Sequence, residues 1–290
     1  MDLLTMPRNL VDAASRQGRT AWLSTVPATV KHLTEKWSLT VGAPFQPGGR
    51  TAWVAPARSI GRGDVVLKVG WRHMEADHEA AGLREWNGDG AVRLIAAEEF
   101  DDSVALLLER CLSGDVLASR PQEEQDGVIA GLLPRLWRSP VPGHCFRPLR
   151  DMCAAWADEF ERNAVDVGTP LDSGLAREGI ALFRALPGTA ERNVLLCTDL
   201  HAGNVLAAQR EPWLVIDPKP YVGDPTFDVL QHLLNGEELL LSDPFGRVRR
   251  MAALAELDEE RLRLWLFARC VQESPHWPAL AEVARRIAPE

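Results

Sequence analysis

Asp199-Leu200-His201-Ala202-Gly203-Asn204, followed after a hairpin-length interval by Leu214-Val215-Ile216-Asp217, is the stretch on which the fold turns. It offers a carboxylate, an amide five residues on, and a second carboxylate closing an apolar strand. Asp and Asn are common turn residues, so the spacing alone is weak. The order of strand, loop, hairpin and strand-terminal Asp gives it meaning. Phosphoryl transfer asks little covalent chemistry of a protein; it needs an oriented acceptor hydroxyl and cations clamped on the β- and γ-phosphates. On this reading Asp199 takes the hydroxyl proton. The Asn204 side-chain oxygen and Asp217 supply hard oxygen ligands, the kind magnesium prefers.

Working upstream, Lys68 sits mid-strand in Val65-Val66-Leu67-Lys68-Val69, on the Val66 face. A lysine among β-branched residues ordinarily guards an edge strand. Here a helical stretch carrying Glu75 and Glu79 follows, and a strand lysine paired with a helix glutamate is how kinases hold the α- and β-phosphates. Glu75 and Glu79 lie one turn apart and both are in reach. Glu79 is preferred because it falls nearer the helix centre, on the Leu83/Trp86 face. Gly48-Gly49, in a turn between the first two expected strands, would let backbone approach phosphate. It matches neither a Walker A motif nor a Gly-x-Gly-x-x-Gly loop.

Periodicity places these motifs. Residues 21–36 read as short helical segments around Pro27, and residues 37–70 as three strands separated by Gly- and Pro-marked turns. A helix ending in a Gly-rich turn and two further strands complete a small α+β unit. Beyond Ser113-Gly114-Asp115 the spacing becomes helical at 121–137, 150–164, 171–186, 226–241, 247–255 and 258–272, interrupted only by the β-rich stretch around Asp199. The expected division is 1–110 for nucleotide binding and 111–290 for catalysis and the acceptor.

Composition narrows the class. The 290 residues carry 46% hydrophobic and 25% charged residues, with no run of about 18 apolar positions and no signal-like start. Five scattered cysteines without CxxC spacing suggest reduced thiols, so a cytoplasmic protein, acting as a monomer away from membranes, is expected. A net charge of −9 argues against nucleic acid. Residues 111–290 hold 27 acids and 19 bases, about −8, which suits a cationic ligand as well as plain solubility. Lysine is scarce: Lys31, Lys36, Lys68 and Lys219 stand against 28 arginines, and two of the four fall in the motifs.

These residues, with Ile216-Asp217-Pro218-Lys219-Pro220-Tyr221-Val222-Gly223-Asp224-Pro225-Thr226-Phe227-Asp228, resemble the aminoglycoside phosphotransferase family. The likeness is strongest to its streptomycin 6-phosphotransferase and hydroxyurea phosphotransferase subgroup. The resemblance spans nearly the whole chain and is specific in 197–232. It implies an α+β, two-lobed protein-kinase-like fold and an ATP- and magnesium-dependent phosphotransferase acting on a small-molecule hydroxyl, with an aminoglycoside such as streptomycin as acceptor. It makes Asp199 the base, Asn204 and Asp217 the metal ligands, Lys68 the phosphate lysine and Glu79 its partner. It also makes Leu108–Leu112, with Glu109 and Cys111, the adenine-binding hinge, and Asp224 and Asp228 anchors of the loops. Two departures stand out. Cys197-Thr198 replaces the family's usual His-Gly, which reads as a packing change because Asp199 is kept. Asp217 is followed by Pro-Lys where a protein kinase has Phe-Gly.

Other residues attract blander readings. His201 is read as orienting its own loop, and His144, Cys145 and Cys153 as a surface histidine near ordinary thiols. Glu237-Glu238, Asp158-Glu159, Glu161 and Glu273 read first as solvated helix faces, and second as acceptor-pocket acids. The competing functions are a kinase for hydroxyurea or another small metabolite, and a nucleotide-binding pseudokinase; the intact Lys68, Asp199, Asn204 and Asp217 set weighs against the latter.

Overall fold

β-Branched and small residues between Gly- and Pro-marked turns drive the first part of the chain into strands. The structure is a computed structural model and describes residues 5–74, 76–166 and 170–289. Two helices, α1 (Arg8–Arg16) and α2 (Thr20–Lys36), precede β1 (Leu39–Val41), β2 (Ala52–Ser59) and β3 (Gly63–Trp71). Then come α3 (Glu79–Trp86), β4 (Leu94–Glu99) and β5 (Ser103–Glu109). The five strands form one antiparallel sheet in the order β1-β2-β3-β5-β4.

Alternation along β3 decides what each sheet face does. Val65, Leu67, Val69 and Trp71 are buried in one core with Trp22, Val26, Val30 and Leu33 of α2. Lys68, between them, projects to the opposite face. The sequence suggests a break at Pro27, yet α2 runs through it. Pro27 removes a single amide donor, while the buried stripe on both sides of it holds the helix on the sheet. Trp22 Nε1 adds a 2.8 Å hydrogen bond to Ser103 Oγ of β5.

The second part is mainly helical. It contains α4 (Gln122–Leu136), the short β6 (Arg147–Pro148), α5 (Leu149–Asp166) and α6 (Ser173–Ala185). β7 (Val194–Leu196) leads into the Asp199 loop, and β8 (Val205–Ala207) and β9 (Trp213–Val215) form the expected hairpin. β10 (Tyr221–Gly223) pairs parallel with β6 and antiparallel with β7. A 3-10 turn over Pro225–Val229 precedes α7 (Leu230–Asn235), α8 (Glu237–Ser242), α9 (Pro244–Ala255), α10 (Glu259–Glu273) and α11 (Leu280–Ile287). The single helix expected over 226–241 is thus divided, with Gly236 at the break between α7 and α8. The α+β class holds, with a β-rich first part and a helical second. By contacts the chain forms two compact units, Met1–Asp115 with Ala207–Leu214, and Val116–Leu206 with Val215–Glu290. The first unit therefore includes a segment remote in sequence. Among the described residues, no helix is long and apolar enough to cross a membrane.

Candidate active site

Two adjacent strands bring the second unit's predicted residues together. Tyr221 of β10 lies opposite Leu196 of β7, so the chain leaving β7 runs beside the chain entering β10. Lys219 N–H donates to Cys197 O at 2.8 Å, and Thr198 Oγ1 donates to Lys219 O at 2.6 Å. Gly223 permits this sheet to lie against α5: a Cβ there would fall 2.4 Å from Leu149 Cβ. Thr198 (φ 49°) and Asp217 (φ 53°) both adopt the left-handed backbone that side chains disfavour. Such conformations persist where surrounding bonds fix them.

Asp228 supplies more of that fixation. Its Oδ1 accepts from Thr198 N at 2.6 Å, and its Oδ2 from Cys197 N at 3.0 Å and Trp137 Nε1 at 3.1 Å. Complete burial raises its carboxyl to about 6 despite those donors. Asp224 caps the following 3-10 turn through Thr226 N and accepts from Arg261 and Trp265 Nε1. Both aspartates are buried and spend their oxygens on holding loops.

Within the loop, Asn204 Nδ2 donates to Asp199 O at 3.0 Å and to Asp199 Oδ2 at 3.2 Å. That commits the amide nitrogen and leaves Asn204 Oδ1 as a hard oxygen donor. Ile216 N–H bonds to Asn204 O at 2.9 Å, linking the loop to the segment ending at Asp217. The Asn204 oxygen and the Asp217 carboxylate form a donor set that suits magnesium. Lys219 Nζ lies 2.5 Å from Asp217 Oδ1, so this carboxylate already carries a cationic partner. His201 Nδ1 accepts from Gly203 N at 3.0 Å, closing the loop on itself. Burial, then the electrostatic interaction with His232, lowers the His201 pKa, partly opposed by Asp217.

In the first unit, Lys68 Nζ contacts both oxygens of Glu79 at 2.7 and 2.6 Å. The pair is nearly buried, with side chains 12% and 4% exposed. Glu75, the alternative partner, lies outside the described residues. Gly48 has a packing explanation of its own: at φ 79° its Cβ would lie 2.4 Å from Pro7 Cβ, and Asn9 Nδ2 binds its carbonyl. Gly49 is more open, with nothing closer than 3.9 Å to a Cβ. Glu109 is engaged by Arg210 from the β8–β9 hairpin, through Nε at 2.9 Å and Nη2 at 3.0 Å, and by Arg93 N. Burial pushes its carboxyl up, but these donors outweigh it and hold the pKa below the usual value. The Cys111 thiol is pushed up to about 11 by burial and by Glu109, so it stays protonated. The Glu109 carboxylate is thus already engaged by Arg210 and by Arg93 N.

Sequence reasoning missed the Thr198 hydroxyl bridge and the Asp217–Lys219 pair. The rarity of lysine was the available signal for the second.

Residues 39–279 match the sequence profile of the family described as aminoglycoside/hydroxyurea antibiotic resistance kinases. The chain belongs to that family. It is 35% identical over 261 residues to the streptomycin 6-kinase of Streptomyces glaucescens, covering 88% of this chain and 83% of the relative. It is also 35% identical over 283 residues to the hydroxyurea phosphotransferase of Kitasatospora aureofaciens, covering 93% and 79%. Among solved structures, aminoglycoside phosphotransferase APH(3'')-Id from Streptomyces rimosus, in complex with ADP and streptomycin, superposes with a TM-score of 0.54. That match has 16% identity and covers 90% of this chain and 98% of the other. Choline kinase from Cryptosporidium parvum gives 0.54 at 13% identity, covering 89% and 88%. These structural likenesses speak for the kinase-like fold. As a member of the antibiotic resistance kinase family, the protein is a phosphotransferase, and phosphoryl transfer calls for ATP and a metal ion.

Proposed function

We propose that this protein phosphorylates a hydroxyl of streptomycin from ATP, with Asp199 as base and Asn204 and Asp217 as magnesium ligands. The observation that carries the reading is the bond pattern around Asn204, whose amide is fixed on Asp199 while its oxygen remains available beside the segment ending in Asp217. Asp199 accepts the acceptor's hydroxyl proton as that oxygen bonds to the γ-phosphorus, and the bond from that phosphorus to the ADP oxygen breaks. Magnesium, when bound, neutralises charge on the β- and γ-phosphates. Lys68, held by Glu79, serves the α- and β-phosphates. Gly48 and Gly49 border the phosphate region, and Leu108–Leu112, with Glu109 and Cys111, form the hinge that receives adenine. Residues 1–110 then bind nucleotide and 111–290 the acceptor. ATP use suits a cytoplasmic protein.

Hydroxyurea is the second reading, favoured by the equal 35% identity to a hydroxyurea phosphotransferase. An ATP-consumption screen over streptomycin, hydroxyurea, choline and simple sugars decides between them. Streptomycin is cationic, and the acidic balance of residues 111–290 would draw it in. Its kcat/KM should therefore fall steeply from low to high salt, as charges are screened over about 10 Å at 0.1 M. Turnover confined to hydroxyurea, with a flat salt profile, would remove the streptomycin reading. Absence of magnesium-dependent turnover with every acceptor would leave a nucleotide-binding module.

A further inference from the structure

Lys219 stands between Pro218 and Pro220, and both of its backbone polar groups are bonded to the chain entering the Asp199 loop. Its N–H donates to Cys197 O at 2.8 Å, and its carbonyl accepts from Thr198 Oγ1 at 2.6 Å. The flanking prolines add two fixed φ angles. The main chain here is therefore held without help from the lysine side chain.

The ammonium lies 2.5 Å from Asp217 Oδ1 and 3.3 Å from Asp217 O. Among the described residues these are its acceptors, so one of its three N–H groups is unspent. Exposure is uneven across the pair: the lysine side chain is 11% exposed and the aspartate 38%. The open partner is the carboxylate expected to bind magnesium, and the sheltered partner is a cation. An ammonium this poorly hydrated attracts the carboxylate strongly, and it repels a dication on that same carboxylate. The two cations compete for Asp217. Lysine suits such a competition better than arginine, because an ammonium is a point charge on one oxygen while a guanidinium forks across both. The choice goes against the habit of a chain with 28 arginines and four lysines.

We propose that Lys219 is a catalytic residue that makes metal binding conditional on nucleotide: its ammonium holds Asp217 against a lone divalent cation, and passes to a phosphate oxygen when metal and nucleotide arrive together. The inference rests on the phosphotransferase reading and deepens it. A polyphosphate is the partner with the right chemistry, since its several negative charges offset the dication and the ammonium at once. The fixed backbone keeps the ammonium within side-chain reach of Asp217, so its charge stays where the phosphoryl group transfers. No covalent bond forms or breaks at Lys219; its contribution is charge.

The test is calorimetric titration of the full chain, as wild type, Lys219→Met and Lys219→Arg, with Mn²⁺ alone and with the Mn²⁺–ADP complex. Methionine keeps most of the lysine's volume and leaves an Asp217 carboxylate that water can reach, so the fold should survive, and melting curves check that. In Lys219→Met, affinity for Mn²⁺ alone should tighten about ten-fold or more as the competing charge disappears. Affinity for Mn²⁺–ADP should weaken in the same variant. Crossed effects of this kind mark competition; a merely structural lysine would weaken both. Lys219→Arg should bind Mn²⁺ alone no better than wild type does. With whichever acceptor the wild type turns over, kcat of Lys219→Met should fall about 10²–10³-fold, the usual cost of one lost transition-state contact. Unchanged or weaker binding of Mn²⁺ alone in Lys219→Met overturns the proposal, as does unchanged binding of Mn²⁺–ADP; both leave the kinase reading standing. Wild-type protein that binds no Mn²⁺–ADP and turns over no acceptor overturns that reading, and the proposal with it.

Discussion

Thr198 donates its hydroxyl to the carbonyl of Lys219 at 2.6 Å, joining the loop of Asp199 to the turn that presents Asp217. Neither of these two groups carries the chemistry, yet between them they hold two left-handed backbone positions. Thr198→Val keeps the shape and removes the donor, leaving a carbonyl short of a partner. We expect about 1–3 kcal/mol of lost stability and a fall in kcat that exceeds the change in KM for ATP. Calorimetry with steady-state kinetics checks this; an unchanged kcat would show that the bridge does not position the loop.

Asp199→Ala should reduce turnover by about 10²–10⁴-fold, the usual worth of a positioned proton acceptor. Nucleotide affinity, read by fluorescence titration, should stay within a few-fold. Near-normal turnover would remove Asp199 from the role.

Asp217→Asn deletes a charge from the proposed metal ligand set. Affinity for the magnesium–nucleotide complex should collapse along with turnover, while affinity for metal-free nucleotide changes little. Equal magnesium dependence in variant and wild type would assign the metal to another carboxylate.

Lys68→Met removes the cation bound to the Glu79 carboxylate in a nearly closed site, and breaking a buried ion pair this way costs about 3–5 kcal/mol. Adding Glu79→Gln should recover most of that stability without recovering activity. If the double variant stays as unstable as the single one, the loss came from packing and not from the broken ion pair.

Asp228 and Asp126 should respond to pH in opposite directions. Burial raises Asp228 to about 6 from an ordinary 3.8, so the folded chain keeps that proton longer than the unfolded one. Its contribution to stability is full below pH 3.8 and is lost as pH rises through about 6. Burial pushes Asp126 up as well, but hydrogen bonds from His232, Arg247, Gln122 and Arg250 outweigh it and hold its pKa far down. Its contribution is present above 3.8 and declines as pH falls below that. Melting curves of Asp228→Asn and Asp126→Asn against wild type from pH 3 to 8, spanning both ordinary carboxylate values, separate the two. A constant difference for Asp228→Asn would contradict the burial effect.

Much of this was legible in the sequence because local chemistry dictated it. β3 announces itself through β-branched residues, and alternation alone put Lys68 on the face away from the Leu67 and Val69 core. The helix spacing put Glu79 with Leu83 and Trp86, all of which are buried. The less legible features depend on partners far along the chain. Gly48 reads locally as a turn glycine, and its close approach to Pro7, 41 positions away, has no local signal. α2 should break at Pro27 by local rules, and only the sheet beneath it explains why it does not. The side-chain amides of Gln122, Gln125 and Asn235 form no motif; they come together only because α4 and the end of α7 lie beside the Asp199 loop.

The ion pair between Arg210 and Glu109 has a consequence for anyone wishing to dissect this protein. Residues 207–214 pack with a unit whose other residues end at 115, so no single cut separates the two units intact. A fragment ending at residue 115 would lose the guanidinium that holds Glu109 and would carry an uncovered surface where the hairpin belongs. A chimera that borrows the first unit from a relative must import the hairpin tip too, because the two have to match as lock and key on the same graft.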